Sequence, residues 1–303
     1  MFTIVVLAGG TSPEREVSLR SGAAVARALE QYGHHVTVAD PADDLDKLLP
    51  VLSKADVVFP ALHGAGGEDG VLQAFLEAHH IAFVGSGSQA SALCFDKARY
   101  TSLLQNKQIR TPATELVNQT GYQQSALSHR PFVLKPNDGG SSIDTFIVRN
   151  PATRDEAAIV AAFARYNQLL LQELIVGSEI TVAVVGQESL PVIEIIPPSD
   201  QEFDYTNKYN GASQELCPPQ HVAANLQTEA SELAVRIHQL TGCQDMSRTD
   251  LMIDSDSQLY VLETNTIPGL TDQSLLPKAA ATAGYSMADL CQRLVNDALE
   301  RAA

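Results

Sequence analysis

Residues 1–86 repeat one pattern: an apolar run of strand length, a glycine-rich turn, then a helical stretch. "FTIVVLAGG" leads into "EVSLRSGAAVARALEQYG", closed by Gly33, and "HHVTVAD" follows. "ADVVFPALHG" then leads through "GVLQAFLEAHH" to the short run "IAFVG". Apolar strands alternating with amphipathic helices predict an α/β unit, a small doubly wound parallel sheet with right-handed crossovers. The strands end in "AGGTSPERE", "HGAGGEDG" and "GSGS". Ligands of such sheets bind outside those carboxyl ends.

The remainder reads differently. "GSGSQASALCFDKARYTSLLQ" leads into helix; strands follow near "ATELV", "PFVLKP", "DTFIV" and "LLLQELI", with a helix through "RDEAAIVAAFARYN". Beyond them come the strands "EITVAVVG" and "LPVIEII", a polar loop from Pro197 to Pro219, a helix through "NLQTEASELAVRIHQLTG", and a terminal helix. Between those two helices, "RTDLMI" and "LYVLETNT" flank the turn "DSDSQ", which predicts an antiparallel hairpin. Alternation places Leu262 and Thr264 on one face and Glu263 and Asn265 on the other. Asp250 then falls opposite Glu263, with Arg248 on the same face. Two carboxylates and an amide oxygen so placed are either a solvated strand edge or a Mg²⁺ site completed by phosphates.

"VLKPNDGGSSIDTF" sets Lys135 at a strand end before Gly139, Gly140, Ser141 and Ser142. It is either a phosphate grip or a Gly/Ser turn, and not a Walker loop, because the lysine precedes the glycines. Ser12 and Pro13 read as a helix start. Glu14, with Ser18 near the same sheet edge, serves either to hold an amine or to offset the helix dipole. "MIDSDSQL" begins like a calcium loop, but Leu259 stands where that loop needs glycine.

Lys+Arg 20 against Asp+Glu 36 gives a net charge of −16, which argues against general nucleic-acid or anionic-membrane binding. No apolar run approaches a membrane span, and the opening residues lack the basic region and cleavage site of a signal peptide. Cys94, Cys217, Cys243 and Cys291 show no paired spacing, which predicts free thiols in a reducing cytoplasm rather than disulfides or zinc.

Taken in order, "LAGGTSPEREVSLRSG", "ALHGAGGEDGVLQAFLE", "GSGSQASALCFDK", "VLKPNDGGSS", "GSEITVAVV", "FDYTNKY", "SRTDLMI", "LETNTIPGLT" and "SLLPKAA" resemble the D-alanine–D-alanine ligases of the ATP-grasp superfamily across nearly the whole chain. The resemblance implies three units: an N-terminal parallel-sheet domain over 1–86, a small central α+β subdomain over 87–172, and a C-terminal α+β subdomain over 173–303. A closing loop over 199–213 belongs to the last. It implies ATP between the second and third units, with Lys97, Lys135, Gly140, Ser141 and Ser142 at its phosphates. Glu173, Leu174 and Ile175 would meet the adenine edge and Glu179 the ribose. Asp250, Glu263 and Asn265 would hold two Mg²⁺ ions, with Mn²⁺ a substitute, Asn265 also facing the nucleotide. Glu14 would meet the first ammonium group and join Ser141 and Tyr209 in a hydrogen-bonded network. His63, with Glu68 near it, would support the first substrate, and Ser18 and Lys208 would belong to the substrate site. Arg248 and the Gly269 N–H would stabilise the oxyanion, and Arg248, Ser274 and Leu275 would hold the second substrate. The implied reaction joins two D-alanines through an acyl phosphate, for peptidoglycan precursors, in a cytoplasmic homodimer that binds neither nucleic acid nor membrane. Tyr209 favours an amine acceptor. D-serine, D-lactate or another amino acid as acceptor, or a silent nucleotide-binding paralogue, are the alternatives.

Three positions depart from the family pattern. Asp144 follows Ile143 where glycine is usual, Asp245 replaces a glycine shortly before Arg248, and Gln172 stands where glutamate is common. The first bears on phosphate binding, the second on the aim of Arg248, the third on the adenine edge.

Overall fold

The computed structural model describes residues 1–42, 44–140, 144–197 and 213–302. The N-terminal unit runs β1 (Thr3–Leu7), α1 (Arg15–Gln31), β2 (His35–Ala39), α2 (Leu45–Leu52), β3 (Val57–Pro60), α3 (Val71–Ala78), α4 (Ser88–Phe95) and α5 (Lys97–Asn106). Its sheet is parallel in the order β2-β1-β3. "IAFVG" adds only a parallel bridge, Phe83 to Val58. β1 is central and buried because Ile4, Val5, Val6 and Leu7 supply apolar side chains to both faces. Helix α1 lies close on the end of this strand because residue 22 is glycine: a Cβ there would stand 2.3 Å from the Cβ of Ala8. Glu14 is the residue that flanks the start of this helix.

The central sheet is antiparallel in the order β4-β7-β5-β6, from β4 (Thr114–Val117), β5 (Phe132–Pro136), β6 (Phe146–Val148) and β7 (Leu169–Glu173). Helices α6 (Gln119–Gln124) and α7 (Glu156–Arg165) cover one face through Tyr122, Ile159, Ala162 and Phe163, packed on Phe132, Leu134 and Leu171. Strand alternation sends Val133, Lys135, Gln172 and Ile147 to the other face, which is the wall of a cavity.

The C-terminal sheet orders its strands β11-β10-β8-β12-β13, with β9 on β8. They are β8 (Gly177–Val185), β9 (Glu188–Ser189), β10 (Ile193–Ile196), β11 (Gln214–Leu216), β12 (Met246–Asp254) and β13 (Leu259–Asn265). Helix α8 (Ala224–Thr241) packs on Ile180, Val182, Val184 and Leu251. It ends on Gly242 in the left-handed conformation, φ 74°. From the opposite side of β8, Ala183 and Val185 join a core shared with α1, β1 and β3. The chain ends in two helices where the sequence suggests one, α9 (Leu275–Thr282) and α10 (Met287–Ala302). Pro277 obscures the first, yet it stands in the opening turn, where a missing N–H costs nothing.

Two expectations need correction, and two aspartates explain a departure noted above. Ser12 does not cap α1: Glu14 is the flanking residue, and Ser12 Oγ accepts the Glu14 N–H at 3.2 Å and donates to the His63 carbonyl at 2.6 Å. Alternation along β13 is broken, because the register runs Asp250↔Glu263 and then Leu251↔Val261. Leu262 is the extra residue of a β-bulge. Val261 and Thr264 therefore share the buried face, while Leu262 and Glu263 both line the cavity. Finally, Asp144 and Asp245 take up left-handed backbone, φ 53° and 57°, the conformation that favours glycine and that Asp tolerates better than most residues.

Candidate active site

A cavity of about 780 Å³ lies between the exposed face of the central sheet and the β8–β12–β13 surface. It falls within the size range of small-molecule sites. Lys97, Lys135, Gly139 and Gly140 line one end; Glu173, Leu174, Ile175 and Glu179 line its wall; Asp250 and Glu263 close the floor. Val133, Ile147, Met252 and Leu262 add apolar surface that suits a flat ring. Met252 was legible as the cavity-facing residue two beyond Asp250, whereas the bulge hid Leu262. Gln172 also lines the cavity and donates through Nε2 to Thr114 Oγ1 at 3.0 Å, which fixes its amide.

A second cavity of about 420 Å³ adjoins the first, and the two share Glu14, Gly140 and Glu263 in their walls. His63, Glu68, Arg248, Asn265, Gly269, Ser274 and Leu275 line the second, as do Arg20 and Arg27 at its rim. The Arg20 and Arg27 positions went unnoticed in the sequence, although their spacing of two helical turns puts both on one face of α1.

Glu14 is buried, and its side chain makes no cap hydrogen bond to α1. Its carboxylate sits between two chain turns instead. A Cβ at Gly64 would stand 2.7 Å from its Oε2, and one at Gly140 would stand 2.9 Å away. A side chain at either position would displace the carboxylate, and Gly64 also has left-handed backbone, φ 74°. His63 Nε2 lies 3.0 Å from Ser21 Oγ, and Glu68 Oε2 accepts the Gly64 N–H at 2.8 Å. Burial pushes the Glu68 carboxyl up to about 8, with the Glu14 charge adding to it. Burial also lowers His63 to about 4, with the Arg248 charge adding to the effect. Both groups are therefore neutral at pH 7, and Glu14 has an uncharged lining on this side.

Asp250 and Glu263 face each other across the hairpin, as the alternation predicts. Arg248 grips Asp250 bidentately, Nε to Oδ1 at 2.9 Å and Nη2 to Oδ2 at 2.8 Å. Thr181 Oγ1 donates to Asp250 Oδ1 at 2.6 Å, and Asn265 Nδ2 lies 3.4 Å from Oδ2. Lys97 Nζ donates to the Gly139 carbonyl at 2.5 Å and stands 3.5 Å from Glu263 Oε2. Lys97 thus ties the glycine loop to the acidic floor. Among the described residues no three His, Cys, Asp or Glu side chains gather as a metal cluster. Two carboxylates with one amide oxygen are nonetheless a donor set that suits Mg²⁺, which takes its other ligands from water and phosphates.

One expected residue is not brought to the cavities. Ser18 is 0% exposed, accepts the Gly9 N–H at 2.8 Å and donates to the Ala61 carbonyl at 2.7 Å. Its hydroxyl laces β1 to the end of β3, so its place is structural. Ser141, Ser142, Lys208 and Tyr209, with nearly all of the 199–213 loop, lie outside the described residues. Asp144 is held away from the cavity by Arg165 Nη2 at 2.6 Å and the Tyr166 hydroxyl at 2.8 Å.

A parallel-sheet unit followed by two antiparallel units that enclose a nucleotide-sized cavity with an acidic floor defines the ATP-grasp class. The family model described as D-ala D-ala ligase C-terminus matches residues 95–296, and the D-ala D-ala ligase N-terminus model matches residues 39–86. The chain belongs to the D-alanine–D-alanine ligase family. It is 39% identical to the D-alanine–D-alanine ligase of Synechococcus sp. (strain JA-3-3Ab), over 100% of this chain and 95% of that one. It is 41% identical to that of Xanthobacter autotrophicus (strain ATCC BAA-1158 / Py2), over 98% and 99%. Among solved structures, the D-alanine–D-alanine ligase from Bacillus anthracis complexed with ATP superposes with a TM-score of 0.85 at 26% identity, covering 100% and 99% of the two chains.

Proposed function

We propose that this chain joins two D-alanine molecules at the expense of ATP, and so supplies the dipeptide for peptidoglycan precursors. The observation that carries the reading is the junction of the two cavities. A nucleotide-sized space and an amino-acid-sized space meet at Glu14, Gly140 and Glu263, with cationic Lys97 on one side and Arg248 on the other. Lys97 and Lys135 orient the triphosphate with its terminal phosphate toward that junction. Glu14 holds the ammonium group of the first D-alanine and thereby turns its carboxylate toward the phosphorus. Its oxygen takes the phosphoryl group, giving an acyl phosphate and ADP. The amine of the second D-alanine then attacks the acyl carbon. Arg248 and the Gly269 N–H stabilise the oxyanion, and phosphate leaves as the amide forms.

Asp250, Glu263 and Asn265 would hold Mg²⁺, which when bound offsets phosphate charge. Arg248 already neutralises Asp250, so the site tolerates its acids before any cation arrives. The proposal extends to a homodimer in the cytoplasm. No helix among the described residues is long and apolar enough to cross a membrane.

The test is phosphate release with ATP, Mg²⁺ and D-alanine, with the product identified by mass and L-alanine as control. D-alanine-dependent release with a D-alanyl-D-alanine mass supports the reading. No release while ATP still binds defeats it, and D-serine and D-lactate arms then report a changed acceptor.

A further inference from the structure

Two cysteines far apart in the sequence meet in the core behind the cavity floor. Cys94 in α4 and Cys243, between α8 and β12, are 149 positions apart, yet their Sγ atoms lie 3.9 Å from each other. They are 5% and 6% exposed. The two segments also meet away from the sulfurs. A Cβ at Gly242 would stand 4.0 Å from the Cβ of Ala90, and the Gln244 N–H donates to Ser86 Oγ at 3.1 Å. Among the described residues no cluster of three metal-ligating side chains includes them, so the pair falls short of the four ligands of a structural zinc site.

The two thiols are not equivalent. The two Sγ atoms share one hydrogen bond in which either can donate, and this contact lowers the Cys243 thiol and raises that of Cys94. Thr241 Oγ1 lies 3.2 Å from Cys243 Sγ and 2.8 Å from the Ile237 carbonyl that it also serves, and the Thr241 and Ser86 hydroxyls both favour a lower Cys243 thiol. Cys243 is therefore the sulfur prepared to act as a nucleophile.

We propose that Cys94 and Cys243 form a reversible oxidation site that closes to a disulfide under hydrogen peroxide, and that closure weakens nucleotide binding. Cys243 sulfur attacks one peroxide oxygen; the O–O bond breaks, one water leaves, and Cys243 becomes a sulfenic acid. Cys94 sulfur then attacks Cys243 sulfur, the S–S bond forms, the S–O bond breaks, and a second water leaves with the Cys94 proton. Two thiols lose two electrons and two protons, and one peroxide becomes two waters. A small dithiol reverses the step by exchange.

Coupling to the site follows from position. A disulfide has its sulfurs about 2 Å apart, so closure brings the two sulfurs nearly 2 Å nearer, through rotation of the side chains and adjustment of the segments that carry them. Helix α4 passes through Asp96 directly into Lys97. Asp96 Oδ1 accepts from the Arg99 N–H at 3.1 Å and from Asn137 Nδ2 at 2.9 Å, which fixes the start of α5 against the glycine loop. The other segment opens β12, the strand of Arg248 and Asp250. Adjustment of either segment on closure is the route by which Lys97 moves relative to the acidic floor.

The experiment treats the full chain with peroxide, alkylates in denaturant and maps peptides by mass, for wild type, Cys94→Ser, Cys94→Ala and Cys291→Ser. The expected result is a Cys94–Cys243 peptide pair lighter by two hydrogens. It is removed by dithiol, absent in both Cys94 variants and retained in Cys291→Ser. Titration with a fluorescent ATP analogue, which rests on the ATP reading, is expected to weaken severalfold on oxidation in wild type and Cys291→Ser but in neither Cys94 variant. No bridged pair, at peroxide doses that oxidise the other cysteines, overturns the proposal. A bridge with unchanged analogue affinity overturns the coupling. If the reduced protein binds no analogue, the ATP reading fails and the mass map still decides the bridge.

Discussion

Arg301, near the end of α10, closes a clasp that joins the N-terminal unit to the C-terminal sheet, and its removal gives a measurable loss. Its guanidinium pairs with Asp245 and donates to the Phe83 carbonyl at 2.8 Å. Asp245 also accepts the Gly85 N–H at 2.7 Å, and its side chain is 3% exposed against 32% for Arg301. Stranding a buried charge costs about 3–5 kcal/mol. The Gly85 hydrogen bond remains in Arg301→Met, and water reaches the vacated space, so the lower end applies, about 3 kcal/mol. That is a fall in Tm of roughly 5 °C. Asp245→Gly removes both the buried carboxylate and the left-handed strain, which offsets the lost bonds, and should cost only about 1 kcal/mol. Arg301→Met on top of Asp245→Gly should add little, a coupling of about 2 kcal/mol in a double-mutant cycle. Burial raises the Asp245 carboxyl above its ordinary value. The raised group favours its protonated form in the fold, so the Arg301→Met deficit should shrink as pH falls and grow as pH rises. Urea unfolding followed by circular dichroism measures each variant. An Arg301→Met cost below about 0.5 kcal/mol, or strict additivity, refutes the reasoning.

Asp250→Asn should leave the fold intact and lower Mg²⁺-dependent phosphate release by about a hundredfold or more, since it removes a charge opposite the triphosphate; a steady-state assay checks it. Glu68 is neutral below about 8 and charges above it, next to Glu14. The amino-acid kcat/KM should therefore fall as pH rises through 8, and Glu68→Gln should flatten that limb, as a pH–rate profile would record. Gly177→Ala places a Cβ 1.8 Å from the Ile253 carbonyl oxygen, so β8 and β12 must part. A cost of about 2 kcal/mol or more in thermal unfolding is expected. Tyr100→Phe removes the 2.6 Å bond to Thr264 beneath β13 and should cost about 1 kcal/mol by the same measurement.

Much of this was legible in the sequence because short-range periodicity dictates it. The Asp250–Glu263 pairing followed from alternation and a turn. The parallel sheet followed from apolar runs between helices, since both faces of such strands are buried. The family resemblance sets Ser18 in the substrate site, and the fold buries it instead. Its helical spacing with Val25 and Leu29, in the buried stripe of α1, already argued for an inward side chain. The bulge at Leu262 left no mark, since no glycine or proline flags it. The Cys94–Cys243 meeting depends on how α4 docks against the start of β12, and nothing local to either cysteine encodes that.

The extra residue in β13 works as a parity bit for the hairpin. From Leu259 to Val261 odd positions point inward; beyond Leu262 even positions do, with Thr264 bonded to Tyr100 and Thr249 in the interior. Regular alternation through the same residues would rotate Glu263 and Asn265 into the apolar layer and Thr264 into the cavity, whereas deleting Leu262 along with the bulge would leave all three on their present faces. A graft of this hairpin onto another scaffold must therefore carry the miscount with it, because a perfectly regular ladder would point the same letters the wrong way.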